Sequence, residues 1–216
     1  MEKQIQIAID GPAGAGKSTI AKLIAERLNI LYLDTGAMYR AFSLYAIKND
    51  VSSKDEISIQ KLFEDFDLYF EGNKIILNGE DMTKAIRTKQ VDDNVALYAS
   101  NPFVRKKMVT LQQEIARKNS VIMEGRDITS VVLPNAEYKF YLDASAEVRA
   151  KRRCEQNALR GIDSNFDEVL ASIVRRDEMD ISRAVGALQI SSDSQYIDTS
   201  SMTVDEVIET VCCKVV

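Results

Sequence analysis

The sequence predicts a three-layer α/β/α fold built on a five-stranded parallel sheet, and two observations support this. Short apolar strands alternate with longer amphipathic helices along the 216 residues, which is typical of parallel sheets covered by helices on both faces. A glycine-rich segment, Gly11–Ser18, stands directly between the first strand and the first helix. Folds of this class bind phosphate at that position.

The strands and helices are predicted from hydrophobic periodicity. In the first strand, Ile5, Ile7 and Ile9 alternate with polar or small residues, and Ile20 and Ile24 then begin a helical stripe. The five predicted strands are 4–10, 30–34, 120–124, 138–142 and 195–198. The predicted helices are 20–28, 37–47, 94–118, one from 146, one from 165, and one beginning at the capping box Thr203–Glu206.

The pattern changes between residues 52 and 90. Two apolar segments, 67–70 and 75–77, are separated by the polar turn Glu71-Gly72-Asn73-Lys74, which predicts a β-hairpin. No internal repeat or low-complexity tract is present. We therefore expect one domain over residues 1–216, with an insertion at about 55–95.

The segment Gly11–Ser18 has the Gly-x-x-x-x-Gly-Lys-Ser spacing of a phosphate-binding loop (P-loop). Glycines let successive backbone N–H groups face an anion, Lys17 supplies a mobile charge, and Ser18 offers a hydroxyl to Mg²⁺. A glycine-rich turn without a ligand would leave Lys17 unexplained. The predicted nucleotide-binding residues are Gly11, Pro12, Ala13, Gly14, Ala15, Gly16, Lys17, Ser18 and Thr19.

Composition excludes several classes of function. A net charge of −5 disfavours binding to nucleic acid through bulk electrostatics, and the absence of histidine excludes histidine-based acid–base chemistry and histidine-ligated metals. Three cysteines without Cys-x-x-Cys spacing indicate neither a disulfide framework nor a zinc site. With no long apolar run and no leader segment, we expect a cytoplasmic protein that binds no membrane.

Charged residues follow several predicted strands at their carboxyl ends, where parallel sheets bind ligands. Arg40 lies one turn into the second helix, and Arg126 with Asp127 follows the strand 120–124. Arg40 could instead be a solvated helix residue, and Arg126 with Asp127 could instead be a buried pair that only stabilises the fold, which is weak design. Two basic helices joined by a loop at Arg160-Gly161 are consistent with a hinged cover, or lid. They carry Arg149, Arg152, Arg153, Arg175, Arg176 and Arg183.

A P-loop alone does not separate switches, motors and kinases. The guanine-reading pattern Asn-Lys-x-Asp of nucleotide switches is absent, and a motor would need more chain. A small kinase that acts on a phosphorylated acceptor needs a second anion site facing the first. The arginines can supply that site. No general base is then required, because the attacking atom is already a phosphate oxygen.

At these residues the chain resembles the bacterial cytidylate kinases, a family of nucleoside monophosphate kinases. The resemblance extends over nearly the whole chain, and the matching segments are 10–12, 33–40, 125–127, 140–145 and the residues Arg176, Asp177, Asp180 and Arg183. The chain departs from the family pattern at Ala96, at 186–188, and at Thr129-Ser130, where the family has Gly-Thr. At Ala96 the family commonly has Ser, so we expect this departure to affect one sugar or base contact, and we expect the other two to alter loop stiffness and not the reaction.

The resemblance implies Mg²⁺-dependent transfer of a phosphoryl group from ATP to CMP or dCMP, in pyrimidine nucleotide metabolism. It implies that the insertion binds the monophosphate. From the two basic helices we expect the lid to cover about 149–165, and because nothing indicates an obligate partner we expect a monomer. The catalytic residues would be Lys17, Arg126, Arg149, Arg153 and Arg176, with Ser18 on the metal. The substrate-binding residues would be Thr35, Tyr39, Arg40, Arg105, Arg126, Asp127, Arg176, Asp180 and Arg183.

The resemblance also implies a division of roles. Arg40 and Arg126 would hold the acceptor phosphate. Asp127, Arg183 and Arg105 would read cytosine, and Arg176 with Asp180 would face the sugar. The alternatives are a sibling kinase with another acceptor, such as UMP, AMP or shikimate, and a non-catalytic ATP-binding module.

Overall fold

The computed structural model describes residues 4–72, 74–159, 161–183 and 185–215. The strands are β1 Gln6–Asp10, β2 Leu31–Asp34, β3 Leu68–Glu71, β4 Lys74–Leu77, β5 Glu80–Asp81, β6 Val121–Gly125, β7 Tyr138–Asp143 and β8 Gln195–Asp198. The helices are α1 Lys17–Leu28, α2 Thr35–Lys48, α3 Glu56–Leu62, α4 Lys89–Ala99, α5 Pro102–Lys118, α6 Ala146–Leu159, α7 Phe166–Ile181 and α8 Val204–Cys212. The predicted turn residue Asn73 and the predicted hinge residue Arg160 lie outside the described residues.

The main sheet has five parallel strands in the order β2-β6-β1-β7-β8. The strand β1 is central, and its last residue, Asp10, is paired with Gly125 of β6 and Tyr141 of β7. The order places the carboxyl ends of β1 and β6 side by side, so the segments that follow them are neighbours. The predicted five-stranded parallel sheet and α/β/α class are confirmed.

Apolar side chains of the sheet and two helices form the main core. Ile7 and Ile9 of β1 are fully buried, and Ile24 of α1 and Val211 of α8 belong to the same cluster. Burying one such side chain contributes about 1.5–3 kcal/mol. This core fixes β1 and α1, and therefore both ends of the loop between them.

The chain divides into two compact units, residues 1–33 with 115–216, and residues 34–114. The first unit contains the parallel sheet apart from the last residue of β2. The second contains α2 to α4, most of α5 and an antiparallel sheet of β3, β4 and β5. Its core is aromatic: the ring of Phe42 stacks on that of Phe63 at 4.5 Å and meets those of Phe66 and Tyr98 edge-on.

The hairpin predicted at 67–77 is confirmed, with β5 as a third strand. The single helix predicted over 94–118 is wrong, because α4 ends at Ala99 and α5 begins at Pro102. The side chain of Asn101 accepts hydrogen bonds from the N–H groups of Phe103 and Val104, which caps a new helix.

The single-domain organisation, with an insertion at about 55–95, stays a prediction. Among the described residues, no helix has the length and apolar character needed to cross a membrane.

Candidate active site

The P-loop follows the central strand and is held tightly at its start. A Cβ added to Gly11 would lie 2.0 Å from the backbone oxygen of Leu142, so only glycine fits there. Gly14 has a φ of 84°, a conformation that other residues rarely adopt. The first residue of α1 is Lys17, so the loop runs straight into a helix N-terminus, which favours a bound anion.

Lys17 is 5% exposed, and its Nζ donates a hydrogen bond to the carbonyl oxygen of Pro12 at 2.8 Å. Burial, together with the positive charges of Arg126 and Arg176, lowers the pKa of Lys17 to about 7, while the negative charges of Glu124 and Asp10 oppose the shift. The two arginines that act on its pKa are therefore close in space to Lys17. Within the first unit, these three positive charges therefore lie near one another, and that they form two anion sites stays a prediction.

Glu124 is a buried residue of the site that sequence reasoning missed. Its Oε1 accepts hydrogen bonds from the hydroxyl of Ser18 at 2.6 Å and from the hydroxyl of Tyr32 at 3.4 Å. A hydroxyl beside a carboxylate is a donor set that suits a hard cation such as Mg²⁺. The sequence did carry a signal, because Glu124 is the acidic residue at the end of a buried strand.

The described residues contain no group of three or more acidic, cysteine or histidine side chains that could hold a metal ion. Mg²⁺ is commonly held by one or two protein oxygens together with substrate phosphates. Ser18 and Glu124 therefore fit a Mg²⁺ ion that is bound jointly with a nucleotide.

Asp180, at the end of α7, connects two of the predicted acceptor-site arginines. Its Oδ2 lies 2.6 Å from Nε of Arg126, and its Oδ1 lies 2.6 Å from Nη2 of Arg183. Burial alone would raise the pKa of Asp180, but the charges of Arg126, Arg183 and Arg176 hold it below its ordinary value. Asp180 thus orients two arginines, whereas its predicted contact with the sugar stays a prediction.

Arg149 is buried, and its guanidinium makes four hydrogen bonds within the first unit. It donates to both carboxylate oxygens of Asp177, to the carbonyl oxygen of Ala13 in the P-loop, and to that of Ala144. The bidentate pair with Asp177 fixes the plane of the guanidinium. Arg149 therefore supports the back of the P-loop, and its predicted catalytic role stays a prediction.

The other basic residues of α6 and α7 differ in their surroundings. Arg153 and Arg176 are half-buried, and the charge of Arg176 acts on both Lys17 and Asp180. Arg152 donates to the hydroxyl and the carbonyl oxygen of Thr199, so it is not the solvated residue considered from the sequence. Arg175 is exposed, as that interpretation expects.

Four predicted substrate-binding residues belong to the second unit. Thr35 is buried at the start of α2, where the carboxylate of Asp34 caps the helix. The guanidinium of Arg105 lies 6.0 Å from the centre of the Tyr39 ring. Nη1 of Arg40 lies 2.5 Å from Oδ1 of Asp92, and it donates a hydrogen bond to the carbonyl oxygen of Ile86 at 3.3 Å.

The structure thus brings together part of the predicted site. Within the first unit, Arg126 and Arg176 lie near Lys17. Asp180 forms ion pairs with both Arg126 and Arg183, so Arg183 belongs to the same group. Asp127 is buried directly after Arg126. That the residues of the second unit join this group stays a prediction.

The parallel sheet, with the P-loop at the end of its central strand, defines a P-loop protein of the α/β/α class. The family model for cytidylate kinase matches residues 7–216. The chain belongs to the cytidylate kinase family, which confirms the predicted resemblance. Membership implies ATP as phosphoryl donor and small-molecule nucleotide substrates.

Three relatives show how far the similarity extends. The chain is 49% identical over 208 residues to a cytidylate kinase of Clostridium botulinum, with 96% of each chain covered. It is 47% identical over 219 residues to that of Anoxybacillus flavithermus, covering 99% of this chain and 96% of the relative. It is 44% identical over 215 residues to the cytidylate kinase of Bacillus subtilis, covering 98% of this chain and 96% of the relative.

A comparison with solved structures concerns the fold alone. The crystal structure of an uncharacterized protein from Eubacterium ventriosum has a TM-score of 0.56 at 14% identity, and 98% of each chain is covered. This similarity agrees with the fold class.

Proposed function

We infer that this protein transfers the γ-phosphoryl group of ATP to CMP and dCMP, forming CDP or dCDP and ADP in pyrimidine nucleotide metabolism. The observation that carries this inference is the convergence of Arg126 and Arg176 on Lys17 within one unit. An arginine cluster beside a P-loop provides a second anion site for the acceptor. Family membership over residues 7–216 supports the identity of that acceptor.

On the donor side, the P-loop residues Gly11 to Thr19 would surround the ATP phosphates. Lys17 would exchange the Pro12 carbonyl for phosphate oxygens, which are stronger acceptors because they are charged. Ser18 would hold Mg²⁺, with Glu124 beside it. When bound, Mg²⁺ neutralises charge on the transferring phosphoryl group.

On the acceptor side, Arg40 and Arg126 would hold the phosphate of CMP, with Thr35 and Tyr39 beside it. Arg176 and Asp180 would face the sugar. Asp127, Arg183 and Arg105 would read the base, because cytosine offers one amino donor and two acceptors, which match a carboxylate between guanidinium groups. Uracil replaces the amino donor with a carbonyl oxygen, which a carboxylate repels.

The reaction would need positioning and charge stabilisation only. An oxygen of the CMP phosphate attacks the γ-phosphorus, the bond from that phosphorus to the β–γ bridging oxygen breaks, and ADP leaves with the electron pair. Lys17, Arg126, Arg149, Arg153 and Arg176 would stabilise the developing charge. A lid over about 149–165 would exclude water and so suppress ATP hydrolysis.

Steady-state assays with ATP, Mg²⁺ and a panel of acceptors test this proposal. We expect CMP and dCMP to have the highest kcat/KM, above UMP, AMP and shikimate. If another acceptor were preferred, the assignment of the base would be wrong. If ATP bound but no acceptor were phosphorylated, the protein would be a binding module and not a kinase.

Two variants sharpen the assay. Lys17→Ala should lose nearly all turnover, since electrostatic groups of this type contribute about 3–4 kcal/mol to the barrier. Arg183→Ala should raise KM for CMP more than KM for ATP. Arg175→Ala is the matched control, because Arg175 is an exposed arginine of α7, the helix that ends just before Arg183. An unchanged KM for CMP in Arg183→Ala would remove Arg183 from the site.

We also propose a cytoplasmic monomer that binds neither nucleic acid nor membrane. The net charge of −5 supports the absence of a nucleic-acid partner. Light scattering across a range of protein concentrations tests the oligomeric state. A mass of twice the monomer at micromolar concentration would contradict it.

A further inference from the structure

The carboxylate of Asp10 accepts three hydrogen bonds from one turn. Its Oδ1 accepts from the N–H of Ile128 at 2.9 Å, and its Oδ2 accepts from the N–H of Thr129 at 2.8 Å and from the Thr129 hydroxyl at 2.7 Å. Asp10 is 0% exposed and Thr129 is 1% exposed. Every one of these bonds is therefore shielded from water.

We propose that Asp10 and Thr129 are positioning residues that fix Arg126 and Asp127 for the acceptor nucleotide. This inference rests on the proposed function, because it concerns the acceptor side of the same site. Neither residue needs to touch a substrate. They act through the two residues that the turn carries.

Asp10 is the fixed partner of this pair. It ends the central strand, and its backbone is paired on one side with Gly125 and on the other with Tyr141. The next residue, Gly11, is confined by the backbone oxygen of Leu142. When a hydrogen bond between Asp10 and the turn is lost, the turn is therefore the part that moves.

The segment after β6 is the part that can move, and it contains the proposed acceptor-binding residues Arg126 and Asp127. The strand β6 ends at Gly125, Arg126 and Asp127 follow, and Ile128–Val132 form a π-helical turn. The segment 126–127 is thus held by the sheet on one side and by Asp10 on the other. Loss of the second anchor would allow Arg126 and Asp127 to shift relative to the P-loop.

The chemistry of the anchor requires a carboxylate at residue 10. Three donors converge on it, so an asparagine would turn its NH₂ group towards at least one N–H group. Burial raises the pKa of Asp10, and the hydrogen bonds from Thr129 and Ile128 oppose this rise. A glycine at residue 129, as in the family pattern, would supply the N–H without the hydroxyl. The third bond is therefore a feature of this chain.

The decisive comparison is Thr129→Val against Thr129→Ser. Valine keeps the shape and removes the hydroxyl, whereas serine keeps the hydroxyl. We expect Thr129→Val to raise KM for CMP about threefold to tenfold, the range for one lost intramolecular hydrogen bond, with KM for ATP changed less than about twofold. Thr129→Ser should restore KM for CMP to within about twofold of the wild type.

The control is Ser120→Ala. Its hydroxyl accepts a hydrogen bond from the N–H of Ile5 at 3.1 Å, immediately before the start of β6 and at the opposite end of that strand from the site. Its loss should leave both KM values unchanged. If Ser120→Ala raised KM for CMP as much as Thr129→Val, the effect would be general destabilisation, and the proposal would be overturned.

Hydrogen exchange gives a readout that is independent of turnover. The amide protons of Ile128 and Thr129 should exchange faster in Thr129→Val than in Thr129→Ser, while those of β1 remain protected. Asp10→Asn should show the same effect more strongly, and adding Thr129→Val to it should have little further effect. Unchanged exchange in folded Thr129→Val protein would overturn the proposal.

The two proposals can fail separately. If the wild type phosphorylated CMP but Thr129→Val left KM for CMP unchanged, the positioning role would be wrong and the proposed function would be supported. If the wild type preferred another acceptor, the function would fall. The exchange measurements would then still decide whether Asp10 and Thr129 hold the turn.

Discussion

Nε of Arg126 lies 2.6 Å from Oδ2 of Asp180, a buried carboxylate that also pairs with Arg183. The two arginines are 17% and 18% exposed in their side chains, whereas that of Asp180 is 1% exposed. One negative charge therefore orients two partly solvated positive charges. This arrangement keeps the arginines in place while leaving the site positive enough to attract a phosphorylated ligand.

Asp180→Asn should weaken acceptor binding. The variant removes the charge that orients Arg126 and Arg183 and leaves them to repel one another. Breaking a fully buried pair costs about 3–5 kcal/mol. Because both arginines are partly solvated, we expect a loss of about 1–2 kcal/mol, or about fivefold to thirtyfold in kcat/KM for CMP.

Steady-state kinetics with CMP varied at saturating ATP measures this loss. Glu178→Gln is the matched control, because it removes one negative charge from an exposed position on the same helix. Equal losses in the two variants would show that overall charge, and not the orientation of the arginines, controls acceptor binding.

Asp180 should also contribute to stability in a pH-dependent way. Its pKa is lowered from an ordinary value of 3.8, despite burial, by the neighbouring arginines. A lowered pKa means that the unfolded chain binds more protons, so the contribution is fully present above about pH 4 and is lost as the pH falls through the lowered pKa. Asp180→Asn should therefore lose stability at pH 7 and show a smaller further loss in acid.

Urea unfolding of the wild type and of Asp180→Asn, at about pH 7 and about pH 3, measures this linkage. The difference in unfolding free energy between the two proteins should shrink in acid. A constant difference at both pH values would mean that Asp180 has the same pKa in the folded and unfolded chains.

The elements that hydrophobic periodicity controls could be predicted from the sequence. The isoleucines of β1 and the helical stripe after the P-loop were sufficient to predict β1 and α1, because apolar residues recur on the buried face of each element. The break between α4 and α5 was missed because Asn101 acts as a helix cap between two apolar stretches. Pro102 was correctly placed in the first turn, but the same residue also marks the start of a new helix.

Candidate site residues that belong to recognisable motifs could be named from the sequence, whereas residues that act through contacts with one another were missed. Lys17 and Arg126 belong to motifs whose chemistry is visible in the sequence. Glu124 and Asp10 act through partners more than 100 residues away in the chain, and such pairings depend on strand order. The contacts of Arg149 with the Ala13 carbonyl oxygen and with Asp177 were also missed, because only the fold brings these residues together.

Arg149→Lys separates support of the P-loop from catalysis. Lysine keeps the charge but cannot donate two parallel hydrogen bonds to Asp177 and a third to Ala13. If Arg149 supports the loop, KM for ATP should rise about tenfold, as expected when a charge-assisted hydrogen bond is lost, and KM for CMP should change little.

Asp177→Asn should show the same pattern, since it removes the partner of the same pair. The control is Lys151→Ala, which removes an exposed charge from α6. A fall in kcat with KM for ATP unchanged would instead indicate that Arg149 acts on the transferring phosphoryl group.

ATP binding should be coupled to proton uptake by Lys17. Its pKa of about 7 means that close to half of the free protein carries a neutral Lys17 at neutral pH. A bound triphosphate favours the ammonium form, so the affinity for ATP should fall as the pH rises through about 7, and the extra proton uptake should approach one per ATP at about pH 8. At about pH 6 Lys17 is already charged, and little uptake by it should remain.

Calorimetric titrations in two buffers of different ionisation enthalpy count these protons. Lys17→Arg is the control, because arginine stays charged throughout this range and the titration of ATP itself is common to both proteins. The difference in uptake between the two proteins isolates Lys17. Equal uptake at about pH 8 would show that Lys17 is already charged before the nucleotide binds, and that the positive charges of Arg126 and Arg176 do not act on it as the structure indicates.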